Sequence, residues 1–250
     1  MPVLDREASP NDDRFDGGIL NALSFDIEDW FHLVDIDAVS DPAEWPGFPS
    51  IVESRTNEIL DLCEEFGVRA TFFFLGWIAE RYPALVRRAA DAGHEIGTHS
   101  YWHRKVCSLD EETFREDLRD SIRVIEDAGG VRVTSFRAPS FSIMPGSEWA
   151  MDVMLDEGLS YDASLFPVPR ENGGYPCSVE PHLFRSTPSG RSIPELPMSL
   201  MRIGPGRVGF SGGGYLRLFP GWLIRRGFDA LHRRGLPGVV YLHPRDIAPD

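Results

Sequence analysis

Cysteine is scarce in this chain: Cys63, Cys107 and Cys177 are widely spaced, with no C-x-x-C pair. That excludes a disulfide framework and a structural zinc knuckle, and makes reduced thiols the expectation. Long apolar runs are missing as well. The longest nearly apolar stretch, Ala70 to Ala79, is about half the length of a bilayer-spanning helix, so no stable membrane insertion is expected. The first residues, MPVLDREASPNDDRFDGG, hold five acids before residue 17 and no apolar h-region. They read as neither a secretory signal nor a transit peptide, and a cytoplasmic location is the expectation. Positive charge is in deficit, 25 Lys plus Arg against 39 Asp plus Glu, for a formal charge of -14. Such a surface repels nucleic-acid backbones and anionic membranes, so no nucleic-acid partner is expected.

What remains is ample for a folded core. At 250 residues and 42% hydrophobic composition, the chain suits one sizeable domain, residues 19–250, behind a polar leader of residues 1–18. Apolar periodicity predicts strands and helices in alternation. A short strand, Leu20–Phe25, and a loop rich in Trp, Pro and Asp lead to a helix over Ile51–Phe66, stopped by Gly67. A strand follows at Val68–Leu75, then a helix over Trp77–Ala92 and a strand at His94–Thr98. Ser108 with Glu111 reads as a capping box opening a helix that runs to Ala128. Further strands are predicted at Val133–Phe136, Leu159–Asp162, Ser192–Leu196 and Val239–Leu242, with helices near Ser147–Glu157 and Trp222–Arg234. About seven alternations imply parallel strands joined by right-handed crossovers, as either a doubly wound sheet or a closed barrel. The Pro- and Gly-rich stretch from Phe166 to Gly214 reads as long loops over one end of the sheet.

In parallel α/β architectures ligands gather beyond the carboxyl ends of the strands, and polar residues cluster there in this sequence. Asp26, Glu28 and Asp29 follow the first strand, His99 and His103 the third, Arg137 the fourth, Asp162 the fifth and His243 the last. The pair His99 and His103, at i and i+4, suits one face of a helix and one divalent metal; the same spacing also fits a surface helix start or core histidines. Ser100 stands where the H-E-x-x-H motif needs glutamate, so an acid must come from elsewhere. Asp26-Ile-Glu28-Asp29 supplies several, and adjacent buried carboxylates need a cation or an arginine beside them.

These segments together, Leu23-Ser-Phe-Asp26-Ile-Glu-Asp29, Gly93-His-Glu-Ile-Gly-Thr-His99-Ser-Tyr-Trp-His103, Arg137-Ala-Pro-Ser-Phe141 and Tyr241-Leu-His243-Pro244, resemble the polysaccharide deacetylase superfamily, the NodB-homology or carbohydrate esterase family four type. Asp26-Ile-Glu-Asp-Trp-Phe-His32 and Gly212-Gly-Gly-Tyr-Leu-Arg-Leu-Phe-Pro220 are similar to the branch associated with exopolysaccharide and exosortase loci. The resemblance implies a distorted (β/α)7 barrel and a metal-dependent polysaccharide N-deacetylase, acting on N-acetylated hexosamine residues of a polysaccharide or oligosaccharide. It implies a divalent metal, usually zinc, on His99, His103 and one carboxylate. Glu28 and Asp29 are rivals for that carboxylate, and strand geometry mildly favours Glu28. By the same resemblance Asp26 is the general base, Arg137 orients it, His243 is the general acid and Asp162 holds His243 in the right tautomer. The backbone N–H near Ser140 would face the oxyanion, and Tyr101, Phe141 and Tyr215 are candidates to contact sugar.

Other readings stay open beside this one: an amidase acting on allantoin-like cyclic amides, or a silent carbohydrate-binding relative. Gly204-Pro-Gly206-Arg-Val-Gly209 satisfies G-x-G-x-x-G, but Phe-Ser-Gly-Gly-Gly follows instead of a helix, so a dinucleotide site is rejected. The run Gly212–Gly214 reads as a flexible loop at the cleft, and Arg225, Arg226, Arg233 and Arg234 as a solvated helix face.

Overall fold

The computed structural model describes residues 18–34, 36–170, 173–185 and 188–248, so the expected leader lies almost wholly outside the described residues. Ten strands are found among them: β1 (Ala22–Ile27), β2 (Thr71–Phe74), β3 (Glu95–Thr98), β4 (Ser135–Phe136), β5 (Tyr161–Asp162), β6 (His182–Arg185), β7 (Ser192–Glu195), β8 (Leu200–Ile203), β9 (Gly206–Gly209) and β10 (Val239–Leu242). The helices are α1 (Val52–Glu65), α2 (Gly76–Arg81), α3 (Pro83–Asp91), α4 (Glu111–Gly129), α5 (Trp149–Asp156), α6 (Gly213–Leu218) and α7 (Gly221–His232). The main sheet runs β10-β1-β2-β3-β4-β5-β7-β6. Its first seven strands pair in parallel, and β6 adds to β7 antiparallel.

The sheet is curled. Arg137, just past β4, reaches Ser24 and Asp26 on β1 with Nη1 at 2.9 and 2.8 Å. Strands three apart in a flat sheet would stand roughly 14 Å from each other, so the contact requires the sheet to wrap. This is the distorted (β/α)7 barrel. Alternation along β1 sends Phe25 and Ile27 to the helix-packed core, while Ser24 and Asp26 share the opposite face and the same arginine.

Several expected elements change on folding. The helix expected over Trp77–Ala92 is two, α2 and α3, because Pro83 opens a new first turn. The capping box expected at Ser108 is replaced by Asp110, whose carboxylate takes the Thr113 N–H at 2.8 Å, while the Ser108 hydroxyl donates to Lys105 O. Besides the expected strand β7, the stretch read as loops contains β6 and the antiparallel hairpin β8–β9, with Gly204-Pro205 at its turn. The G-x-G-x-x-G match is therefore the turn and second strand of a hairpin. That hairpin and α7 share a small apolar cluster of Met201, Phe210 and Leu231. Arg225 and Arg226 are exposed on α7. All three cysteines are free, and no helix among the described residues is long and apolar enough to cross a membrane.

Candidate metal centre and active site

The site forms where β1, β3, β4 and β10 end. His99 and His103 do not sit on a helix, as the spacing suggested. They lie on the loop after β3, with Ser100 at φ 68 and His103 at φ 55. Two non-glycine residues in the left-handed region cost energy and persist only where surroundings hold them. Helix α4 holds them: Asp117 accepts the N–H groups of Tyr101 and Trp102 at 2.7 and 3.1 Å, and Ser121 donates to Ser100 O at 2.9 Å. Asp117 was not expected from the sequence. Its signal was a carboxylate on the buried face of α4, beside Phe114, Leu118 and Ser121.

The loop brings His99 Nε2 and His103 Nε2 to 3.2 Å, and Glu28 Oε2 to 2.5 Å from His103 Nε2. One ligand atom from each of the three lies within 4.8 Å of the others, and all three residues are buried. The donor set fits a divalent cation. His99 Nδ1 lies 2.7 Å from Arg137 O, which fixes the proton there and leaves Nε2 with its lone pair toward the cluster. Glu28 Oε2 is buried and, despite the close His103 nitrogen, has no hydrogen-bond partner. Two nitrogens and an unpartnered oxygen converging on one point suit a borderline-soft ion such as zinc. Burial holds His99 down to about 4, against the pull of Asp26, so it is neutral and ready to ligate at neutral pH.

Glu28 has a second partner not expected from the sequence, Arg245 Nη1, at 2.6 Å from Oε1. Burial pushes the Glu28 carboxyl up, but His103 and Arg245 outweigh it and hold the group well below its ordinary range. The rival Asp29 is elsewhere. Its carboxylate caps the 3-10 turn Trp30–His32 and takes the Ser50 hydroxyl and the Ile51 and Val52 N–H groups at the start of α1. With its oxygens filled by these donors, it anchors the loop and stays out of the cluster.

Asp26 binds Arg137 through Oδ1, and its Oδ2 lies 3.9 Å from His243 Nε2. Burial raises its pKa, yet Arg137, His99 and His243 together bring it below the ordinary value, so Asp26 is ionised. Arg137 lies over the Phe73 ring at 4.4 Å. Gly97 makes room for that ring, since a Cβ there would stand 2.6 Å from it. The expected link between Asp162 and His243 is absent: Asp162 takes the Ser164 hydroxyl and faces Glu195. Asp246 holds the histidine instead, accepting the His243 N–H at 2.8 Å, with Nδ1 at 3.0 Å. The run Gly212–Gly214 is no flexible loop. Gly212 packs against the Tyr241 ring and Gly213 against the Asp246 carboxylate, where a Cβ would overlap each.

Of the expected sugar contacts, Tyr101 is buried with its hydroxyl donating to Glu80 at 2.8 Å, which turns it away from the cleft. Ser140 and Phe141 take left-handed backbone at φ 56 and φ 55 beside the site. The Phe141 N–H is used by Ala138 O, and its ring packs on Phe166 and Tyr241. Tyr215 is half-buried on α6, stacked on Phe219.

A family model described as polysaccharide deacetylase matches residues 43–150, and one described as a domain of unknown function (DUF3473) matches residues 163–250. Residues 43–150 are thus similar to the polysaccharide deacetylase family. A peptidoglycan-N-acetylglucosamine deacetylase of Bacillus cereus is 30% identical over 147 residues, covering 54% of this chain and 52% of the relative. The chain thus spans about half the length of that relative. The solved structure of a Mycobacterium smegmatis protein described as a polysaccharide deacetylase superposes over 91% of this chain and 78% of its own, with TM-score 0.65 and 26% identity. Puue allantoinase shares the fold, with TM-score 0.61 over 90% of this chain and 77% of its own, at 17% identity.

Proposed function

We propose that this chain is a divalent-metal-dependent N-deacetylase acting on hexosamine residues of an N-acetylated polysaccharide or oligosaccharide, with zinc the cation best matched to its donors. An exopolysaccharide is the polymer class we favour. The observation that carries the reading is the convergence of Glu28, His99 and His103 within 4.8 Å beside an ionised Asp26 and His243, which follows the neighbouring strand β10. When bound, the cation polarises the acetyl oxygen and favours deprotonation of water.

The chain's own groups divide the proton work. Asp26 Oδ1 is committed to Arg137, leaving Oδ2 to accept a proton from the attacking water. Asp246 accepts from His243 Nδ1–H, so Nε2 points into the site, and the imidazolium form of His243 would hand its Nε2 proton to the departing amine. The C–O bond to water forms, the C–N bond breaks, the water proton passes to Asp26 and the His243 proton to nitrogen. Acetate and a free amine result.

The test is acetate release from N-acetylglucosamine oligomers. The expected result is release that stops with a chelator and returns on adding zinc. Release indifferent to chelator, or none from any N-acetylated oligomer after zinc loading, overturns the reading.

A further inference from the structure

Asp162 and Glu195 are register partners at the ends of β5 and β7, each only 2% exposed. Each carboxyl has one oxygen satisfied, Asp162 Oδ1 by the Ser164 hydroxyl and Glu195 Oε1 by the Leu165 N–H at 3.0 Å. The remaining oxygens, Asp162 Oδ2 and Glu195 Oε2, have no donor among the described residues. As register partners on neighbouring strands, the two carboxyl groups lie side by side and interact. Two buried carboxylates in contact cannot both stay ionised, and a single proton between them turns repulsion into a hydrogen bond. Burial, with the charge of Asp162 beside it, pushes Glu195 well above its ordinary range. The nearby Cys177 thiol is pushed up to about 12 by burial and by these two acids, so it stays neutral.

The pair closes a chain of contacts ending at the proposed base. Ser164 Oγ, which donates to Asp162, also accepts the Ala138 N–H at 2.8 Å. Ala163 O accepts Arg137 Nε–H at 3.1 Å, and the same guanidinium gives Nη1 to Asp26 at 2.8 Å. Segment 163–165 therefore stands between the acid pair and Arg137, tied to both.

We infer that Glu195 is a positioning residue: in its protonated form it donates to Asp162 and locks segment 163–165, so that the Ala163 carbonyl aims Arg137 at Asp26. The inference rests on the deacetylase reading for what Asp26 does; the hydrogen-bonded pair stands without it.

Glu195→Gln and Glu195→Leu separate the outcomes. Glutamine keeps a donor toward Asp162 and an acceptor for the Leu165 N–H; leucine removes both. In the zinc-loaded protein, kcat of Glu195→Gln should stay within about threefold of wild type, while Glu195→Leu loses roughly tenfold to a hundredfold with little change in KM. Two readouts need no turnover. A protonated-carboxyl stretching band should be present in the infrared spectrum of wild type and lost in Glu195→Gln. Exchange of the Arg137 Nε proton should be slow in wild type and Glu195→Gln and faster in Glu195→Leu. Glu195→Gln as damaged as Glu195→Leu, no difference band, or unaltered Arg137 exchange in a folded Glu195→Leu overturns the inference. If wild type releases no acetate, the deacetylase reading fails while the band and the exchange rates still decide the pair.

Discussion

His243 and Asp246 are bound twice, backbone N–H and ring Nδ1 both meeting the same carboxylate oxygen at 2.8 and 3.0 Å. This local turn, opened by Pro244, sets the direction of His243 Nε2 toward Asp26 and Glu28. Replacing Asp246 by Asn offers an amide that no longer selects the tautomer. The expected outcome is a loss of roughly a hundredfold or more in kcat with KM nearly unchanged, read by steady-state kinetics. Gly213→Ala should act in the same direction, because its Cβ would stand 2.0 Å from the Asp246 carboxylate.

Glu28 and Asp29 are neighbours in sequence with separate tasks. Glu28→Gln should abolish stoichiometric zinc binding in a calorimetric titration while the fold persists. Asp29→Ala should do the reverse: it strands the buried N–H groups at the start of α1 and costs about 1–3 kcal/mol of stability in denaturant unfolding, with one zinc still bound.

Arg245 supports the cluster by its 2.6 Å contact to Glu28 Oε1. Removing the guanidinium in Arg245→Met frees Glu28 to turn from the histidines. Zinc affinity should weaken by about 10- to 100-fold, with stoichiometry unchanged.

His32 gives a pH signature. Its Nδ1 accepts the Asp29 N–H at 2.8 Å within an aromatic cage of Phe31, Trp45 and Trp77, and burial holds its pKa down to about 3. The unfolded chain takes up a proton on this histidine near its ordinary value of about 6.5, whereas the native state resists until about 3. Between those limits the unfolded state holds more protons, so stability falls as pH falls, by at most about 1.4 kcal/mol per unit from this group. Chemical denaturation from pH 7 to pH 4 should show that slope. His32→Asn, which keeps an acceptor for the Asp29 N–H but does not titrate, should flatten it.

The strand ends carrying Asp26, His99, Arg137 and His243 were legible because an apolar run followed abruptly by a polar residue marks where a parallel strand leaves the core. The conformation of the His99–His103 loop was not, since the i and i+4 spacing suits a helix, and the left-handed turns are held by groups distant in sequence, Asp117 and Ser121 from α4 and the Gly76 and Trp77 N–H groups of α2. Asp246 carried a local signal, three residues past His243 across a proline, the spacing of a tight turn. Glu195 carried none, because its partner Asp162 lies 33 residues away and they meet only through strand order. The hairpin β8–β9 was hidden by its glycines, which lower strand propensity while permitting the turn.

The central claim is that Glu28, His99 and His103 hold one cation beside Asp26. Its most direct test is anomalous diffraction from zinc-soaked crystals of the chain. The account predicts one strong peak bonded to Glu28, His99 Nε2 and His103 Nε2, with Asp29 uninvolved. No peak at that position, or a zinc coordinated through Asp29 instead of Glu28, would contradict it.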